Sequence, residues 1–433
     1  MAAQGQWVTA AESYAIDFDR MLDRLEQRPV LLALLIGIAA LLLFGIGVQR
    51  PSILMFDEVH YVPAARVLID LAHPVNMEHP LLGKSLIALG MMIFGDNPVG
   101  WRAMSVLAGA LTIVGVYSFT PHLTGATRAG LFAALFAMLG QLVFIQARIG
   151  MLDVFLGALL VWAGVAFLRA MQSDSRRRAQ LFLLASAVAF GGAVAVKWAA
   201  VPYVALAGLA FLWLRRGYPE RFGGTGWFAG LTILGCVSVT TYFLTFTPAF
   251  FYTTDPLTLA RLVPFQLDMW KLQTQVLTPH NYQSDWWSWP LMIRPIWYFY
   301  EPDQGATRGV LLIGNPAIMW GGLVAVAACW WAGLRDKASA PLAAAMLWTV
   351  SFGVWAVIPK SLGFYYYYYL PGIILSVVLA VAFQHYAARV KRNDEWYLVL
   401  CIGLFAYFYP ILSALALPSS RGFERWIWFP SWA

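Results

Sequence analysis

Residues 30–48 read VLLALLIGIAALLLFGIGV, and residues 56–61 that follow read FDEVHY. The first stretch is an apolar run of the length that crosses a hydrocarbon core, about 20 residues. The second places the acidic pair Asp57-Glu58 just beyond it. Carboxylates are costly near hydrocarbon and tend to mark function there. Similar apolar runs recur near 101–120, 128–147, 151–170, 180–197, 199–214, 227–247, 309–332, 341–358, 363–385 and 396–416. The pattern predicts an all-α, polytopic integral membrane protein of about eleven transmembrane helices.

Composition agrees. Hydrophobic residues make up 60% of the chain and charged residues 12%, against roughly 25% charged in soluble domains. No basic n-region opens the chain, so the first span is expected to act as its own insertion signal. Cys236, Cys329 and Cys401 all fall in predicted spans, which points to neither a disulfide framework nor a metal cluster. Residues 8–27 carry Ala11, Tyr14, Ala15, Phe18, Leu22 and Leu25 on one helical face, the pattern of an amphipathic helix lying on the membrane within a segment 1–29. One transmembrane domain is expected over 30–416, with a tail at 417–433.

The net charge of +7 matters less than its placement. The short loops with Arg176-Arg177-Arg178, Arg215-Arg216, Arg335 and Lys337, and Arg389, Lys391 and Arg392 alternate along the chain as cytoplasmic turns would. The N-terminus is then cytoplasmic, and the long segments 50–99 and 248–307 share the opposite face with the tail. Lys84, Arg148, Lys197, Arg261, Lys271, Arg294 and Lys360 map to that face or its boundary, a basic lining suited to a lipid phosphate rather than to nucleic acid.

Several motifs lie there. Asp57-Glu58 fits a helix start, where a negative charge is worth roughly 0.3–1 kcal/mol. A single acid would suffice for that, and the pair also fits a general base beside an acid that orients an acceptor. His79-Pro80-Leu81-Leu82-Gly83-Lys84 reads as helix-start chemistry, with a lysine able to make a point-charge phosphate contact. Arg148 and Asp153 join two spans, either as a snorkelling cation with a local partner or as a phosphate ligand with the acid that orients it. Lys197-Trp198 carries the same two readings. His280 to Pro290, continuing to Arg294, is the densest polar-aromatic stretch. An interfacial aromatic belt accounts for its tryptophans better than for His280, Ser284 or Arg294. Tyr365 to Tyr369 read as a belt or a lipid groove. No nucleotide-binding glycine loop or zinc spacing is present, and the only D-x-D, Asp17 and Asp19, falls on the cytoplasmic side. An activated lipid is thus the natural energy source.

Together these motifs resemble those of the protein O-mannosyltransferases, membrane glycosyltransferases of the C fold. Their acidic pair matches Asp57-Glu58. Their His-Pro-Pro-Leu-Gly-Lys run is similar to residues 79–84, with Leu81 in place of the second proline. Arg148 to Asp153, Lys197-Trp198, Ser284 to Pro290 with Trp286 inside it, Gly314-Asn315-Pro316 and Tyr368 to Pro371 continue the resemblance in order. The large soluble insert of eukaryotic members has no room in 248–307, as in a compact bacterial-type member.

The resemblance implies inverting, metal- and cofactor-independent transfer of mannose from polyprenyl-phosphate mannose to Ser or Thr hydroxyls of an acceptor protein. The reaction would occur at the extracytoplasmic face of the bacterial inner membrane. It makes Asp57 the base and Glu58 its helper. Lys84, Arg148 and Lys197 are the candidate phosphate ligands, with His79, His280 and Arg294 behind them and Asp153, Ser284 and Trp286 as further binding residues. A same-fold transferase acting on a lipid or glycan is the alternative, and a transporter or flippase a remote one, since no internal repeat is visible. The apolar faces leave a homodimer undecided.

Overall fold

The apolar runs fold as helices because a helix satisfies its own backbone where no water can. A computed structural model describes residues 27–358, 360–388 and 393–433. The amphipathic segment 8–27 lies outside them, save its last residue, as do Arg389, Lys391 and Arg392. Fifteen helices follow in order: α1 (Pro29–Gly45), α2 (Glu58–Ile69), α3 (Leu82–Phe94), α4 (Pro98–Thr124), α5 (Thr127–Met138), α6 (Gln141–Gln146), α7 (Asp153–Met171), α8 (Arg176–Val196), α9 (Trp198–Gly217), α10 (Trp227–Phe251), α11 (Leu262–Thr274), α12 (Ala317–Arg335), α13 (Ser339–Ala356), α14 (Tyr365–Tyr386) and α15 (Asn393–Leu412).

Among the described residues nine of these are long and apolar enough to cross a membrane, rather than about eleven. The two shortfalls have local causes. The first span is realised as the 17-residue α1. The run 128–147 is broken at Leu139-Gly140 into α5 and α6. At the break, the Asn315 amide donates to the carbonyls of Leu139 at 3.3 Å and Cys401 at 3.0 Å. Protein thereby satisfies backbone that a helix no longer does, which is the condition for irregular structure at membrane depth.

α14 is the central helix, with nearly every residue buried against α4, α5, α12 and α13. Gly157 of α7 lets it approach closely: a Cβ there would sit 2.5 Å from the Tyr369 ring. α9 and α10 lie at the periphery, with few of their side chains buried.

The fold departs from all-α at one place. β1 (Ile296–Asp303) and β2 (Ala306–Leu312) form an antiparallel hairpin, and β3 (Ala416–Leu417) extends it. The expected span at 309–332 therefore starts as a strand. The hairpin turns on Gln304 and Gly305, both at positive φ, as a two-residue turn matching strand twist requires. Its register slips between Trp297 and Phe299, leaving Tyr298 as a bulge residue. The segment 417–433 is no loose tail: Trp432 is buried and donates to the Met292 carbonyl at 2.7 Å.

Candidate active site

The loop 50–57 leads from α1 to α2 and carries Asp57 at the N-terminus of α2. Three anchors fix it. Asp303 of the hairpin accepts from the Ser52 backbone N–H at 3.1 Å and from the Ser52 hydroxyl. Phe56, a non-glycine residue at φ 45°, stacks on Tyr298 with ring centroids 4.3 Å apart. Such left-handed conformations persist only where the surroundings over-determine them, and they cluster at functional sites. The bulge is what turns Tyr298 toward this ring, and Gln146 donates to its hydroxyl at 3.1 Å.

The third anchor is Glu58. Its carboxylate is fully buried and receives Nε and Nη2 of Arg102 at 2.7 and 2.8 Å. It also accepts from the backbone N–H groups of Met55 and Gly150 at 3.1 and 2.8 Å. Arg102 in turn donates to the carbonyls of Val48, Pro51 and Ile53. Gly150 makes this a close approach: a Cβ there would lie 3.1 Å from the Trp101 carbonyl. Glu58, expected to orient an acceptor, is thus fully engaged in holding its own loop.

Asp57 differs. It is half-buried, and among the described residues its carboxylate makes no hydrogen bond or ion pair. Burial pushes its carboxyl up to about 6, against the opposing charges of Lys197 and His60. Lys197 pairs with Asp153 at 3.0 and 3.1 Å, both buried. Its ammonium also lies 5.1 and 4.9 Å from the rings of Tyr366 and Tyr367, within cation–π range. Lys197, Asp153 and the tyrosine run therefore close the site around Asp57.

Beside them lies His79, its Nδ1 buried without a partner. Burial, then the charges of Lys197, Lys84 and Lys360, hold its imidazole well below the usual histidine range. Lys360 makes no side-chain hydrogen bond or ion pair among the described residues, and burial followed by the Lys197 charge pushes it down to about 8. Lys197 and Lys360 are thus the cations beside His79 that an anion entering here would meet.

Six of the expected binding residues make contacts of their own here. Lys84 donates to the carbonyls of Asn76 at 2.6 Å, His79 at 2.9 Å and Val75 at 3.4 Å, so its donors hold the loop before α3. Arg148 donates through Nη1 to the carbonyls of Phe44 and Ile46, both at 2.6 Å, which caps α1. Arg294 donates to the carbonyls of Asn281 and Ser431, tying 280–294 to the C-terminal segment. His280 is exposed, its ring against Phe364. Ser284 accepts from Trp289 Nε1 at 3.0 Å, and Trp286 packs on Phe352. No group of three or more His, Cys, Asp or Glu side chains able to hold a metal occurs among the described residues.

Sequence reasoning passed over Arg102, Tyr298 and the part of Lys360. Arg102 carried a signal: an arginine just inside a predicted span needs a partner.

The helical membrane body has the C fold of membrane glycosyltransferases, as two solved structures illustrate. The Saccharomyces cerevisiae protein O-mannosyltransferase Pmt1-Pmt2 complex bound to the sugar donor superposes with a TM-score of 0.80 at 14% identity, over 93% of this chain and 92% of that one. ArnT from Cupriavidus metallidurans bound to undecaprenyl phosphate gives 0.58 at 17% identity, over 86% of this chain and 63% of that one. The family model for dolichyl-phosphate-mannose-protein mannosyltransferase matches residues 78–246, and that for the C-terminal four-TMM region of protein-O-mannosyltransferase matches 258–432. A Corynebacterium glutamicum polyprenol-phosphate-mannose–protein mannosyltransferase is 25% identical over 87% of this chain and 88% of its own. The chain belongs to the protein O-mannosyltransferase family. Asp57 and Glu58 precede the first matched stretch.

Proposed function

We propose that this protein transfers mannose from polyprenyl-phosphate mannose to Ser or Thr hydroxyls of proteins at the extracytoplasmic membrane face. The observation that carries the chemistry is the unpartnered Asp57 carboxylate beside Lys197. Asp57 takes the proton of the acceptor hydroxyl, whose oxygen attacks C1 of the sugar from the face opposite the phosphate. The C1–O bond breaks with its electron pair going to the phosphate, and configuration inverts. The transition state is oxocarbenium-like, and the departing phosphate gathers negative charge.

Lys197 and Lys360 stabilise that charge as fixed cations in a partly desolvated site. Asp153 holds Lys197 in place, and Glu58 fixes the loop from which Asp57 projects. No step in this scheme calls for a metal or another cofactor. The test is transfer of label from polyprenyl-phosphate mannose to a Ser/Thr-rich peptide by purified protein in nanodiscs. Label on an extracted lipid or glycan instead would move the acceptor while keeping the chemistry.

A further inference from the structure

α11 lies outside the nine spans, yet it is apolar on two faces. Its inward face, with Phe265 and Met269, packs on Tyr242 and Phe246 of α10. Outward, the stripe Leu259, Val263, Leu267 and Trp270 is 81, 62, 61 and 51% exposed. Spacings of four and three put Val263, Leu267 and Trp270 on one side of α11, and Leu259 stands in the 3-10 turn that leads into it. A bare apolar stripe of this kind needs a medium other than water.

The chain path sets its depth. After α10 the backbone doubles back, and the Leu257 N–H bonds the Ala249 carbonyl at 2.9 Å. The Tyr242 hydroxyl then donates to Gln266 within α11, and Phe265 meets Phe246 at 6.0 Å. Tyr242 and Phe246 lie nine and five residues inside the end of α10 at Phe251, about 14 and 8 Å at 1.5 Å per residue. α11 is therefore level with the outermost turns of a membrane-spanning helix. That membrane-spanning helix likewise exposes apolar side chains, among them Val239, Leu244 and Phe251. Asp268 pairs with both Arg261 and Lys271 along the edge of α11.

We infer that α11 is an interfacial helix seated in the bilayer leaflet on the Asp57 side, with Leu259, Val263, Leu267 and Trp270 among the acyl chains. Interfacial helices bury their apolar face about 5–10 Å into the headgroup boundary, which suits this depth. Trp270 lies 6.3 Å from Trp198, the neighbour of Lys197, and Trp198 donates to the Tyr242 hydroxyl. The helix thus ties the height of Lys197 to the height of the lipid headgroups. The inference does not depend on which sugar or acceptor the enzyme uses.

The test is nitroxide labelling of V263C and L267C, each in a C236S background in nanodiscs, with K271C on the polar edge as reference. Melting equal to that of the parent verifies the fold. The expected result is oxygen accessibility several-fold above that of a soluble nickel chelate at 263 and 267, and the reverse at 271. Free access of the chelate to 263 and 267 would overturn the inference. So would a chelate-accessible label at 267 that becomes protected only when a Ser/Thr-rich peptide is added, because the stripe would then be an acceptor-docking surface.

Discussion

Arg102 holds Glu58 by two hydrogen bonds of 2.7 and 2.8 Å with both side chains fully buried, and in doing so leaves Asp57 as the one member of the acidic pair facing the site. Two adjacent acids in sequence have opposite fates in space. Removing one partner of a buried ion pair strands the other, at about 3–5 kcal/mol. Arg102→Ala is expected to lower the melting temperature sharply and to lose activity with it. Arg102→Lys is expected to rescue little, since an ammonium cannot reach both carboxylate oxygens and three carbonyls. Thermal melting in detergent, set beside transfer rates, checks both.

Asp57→Asn should behave in the opposite way. Among the described residues the carboxylate makes no hydrogen bond or ion pair, and burial outweighs the charges of Lys197 and His60 in disfavouring its ionised form. The variant is therefore expected to melt at or above the wild-type temperature while transfer falls by about 100-fold or more, as loss of a general base does. A variant that bound donor poorly and melted early would give Asp57 a structural role instead.

The pH dependence follows from the same carboxyl. Its folded value is raised, to about 6, so the ionised form needed to accept a proton is present above about 6 and lost below it. kcat/KM is expected to rise through that value and level off. The linkage to stability has the matching sign: between the unfolded value near 4 and about 6 the folded chain binds the extra proton. This residue's penalty is thus relieved as pH falls. Asp57→Asn should abolish that part of the pH dependence of melting.

Lys197 and Asp153 form a buried pair whose members serve different ends. Lys197→Met strands Asp153 and removes a cation, so both stability and donor affinity should fall. Adding Asp153→Asn should recover melting by about 1–3 kcal/mol without restoring transfer. A double variant that regained activity would remove Lys197 from the phosphate site.

Lys360 offers the cleanest affinity test, because among the described residues no side-chain partner is lost with it. Lys360→Ala is expected to leave melting unchanged and to weaken donor binding about 10-fold or more, as for hydrogen bonds to charged groups worth roughly 1.5–3 kcal/mol. Titration with polyprenyl phosphate in nanodiscs reads this directly.

How far these assignments could be read from residues alone varies for physical reasons. Hydropathy located the helices because bilayer insertion depends on apolar length. The hairpin at 296–312 was hidden because β2, with Val310, Leu311 and Leu312, runs on into the apolar helix α12. Period alone cannot divide such a run. Motif order located Asp57, Asp153 and Lys197, which the fold brings together. Chemistry could not distinguish a lysine or arginine that binds phosphate from one that binds carbonyls; here Lys84 and Arg148 Nη1 donate to carbonyls. Tyr298 was invisible because its direction depends on a one-residue bulge.

The clamp between Ser52 and Asp303 joins residues 251 positions apart. A ribosome adding about 5–20 residues per second separates their syntheses by roughly 13–50 s. Throughout that interval Asp57 is already translated, yet Tyr298, Asp303 and the tyrosine run that seat it do not exist. The nascent chain is consequently inserted with its base made and its active centre unassembled, and competence arrives only once the hairpin has been translated and docked.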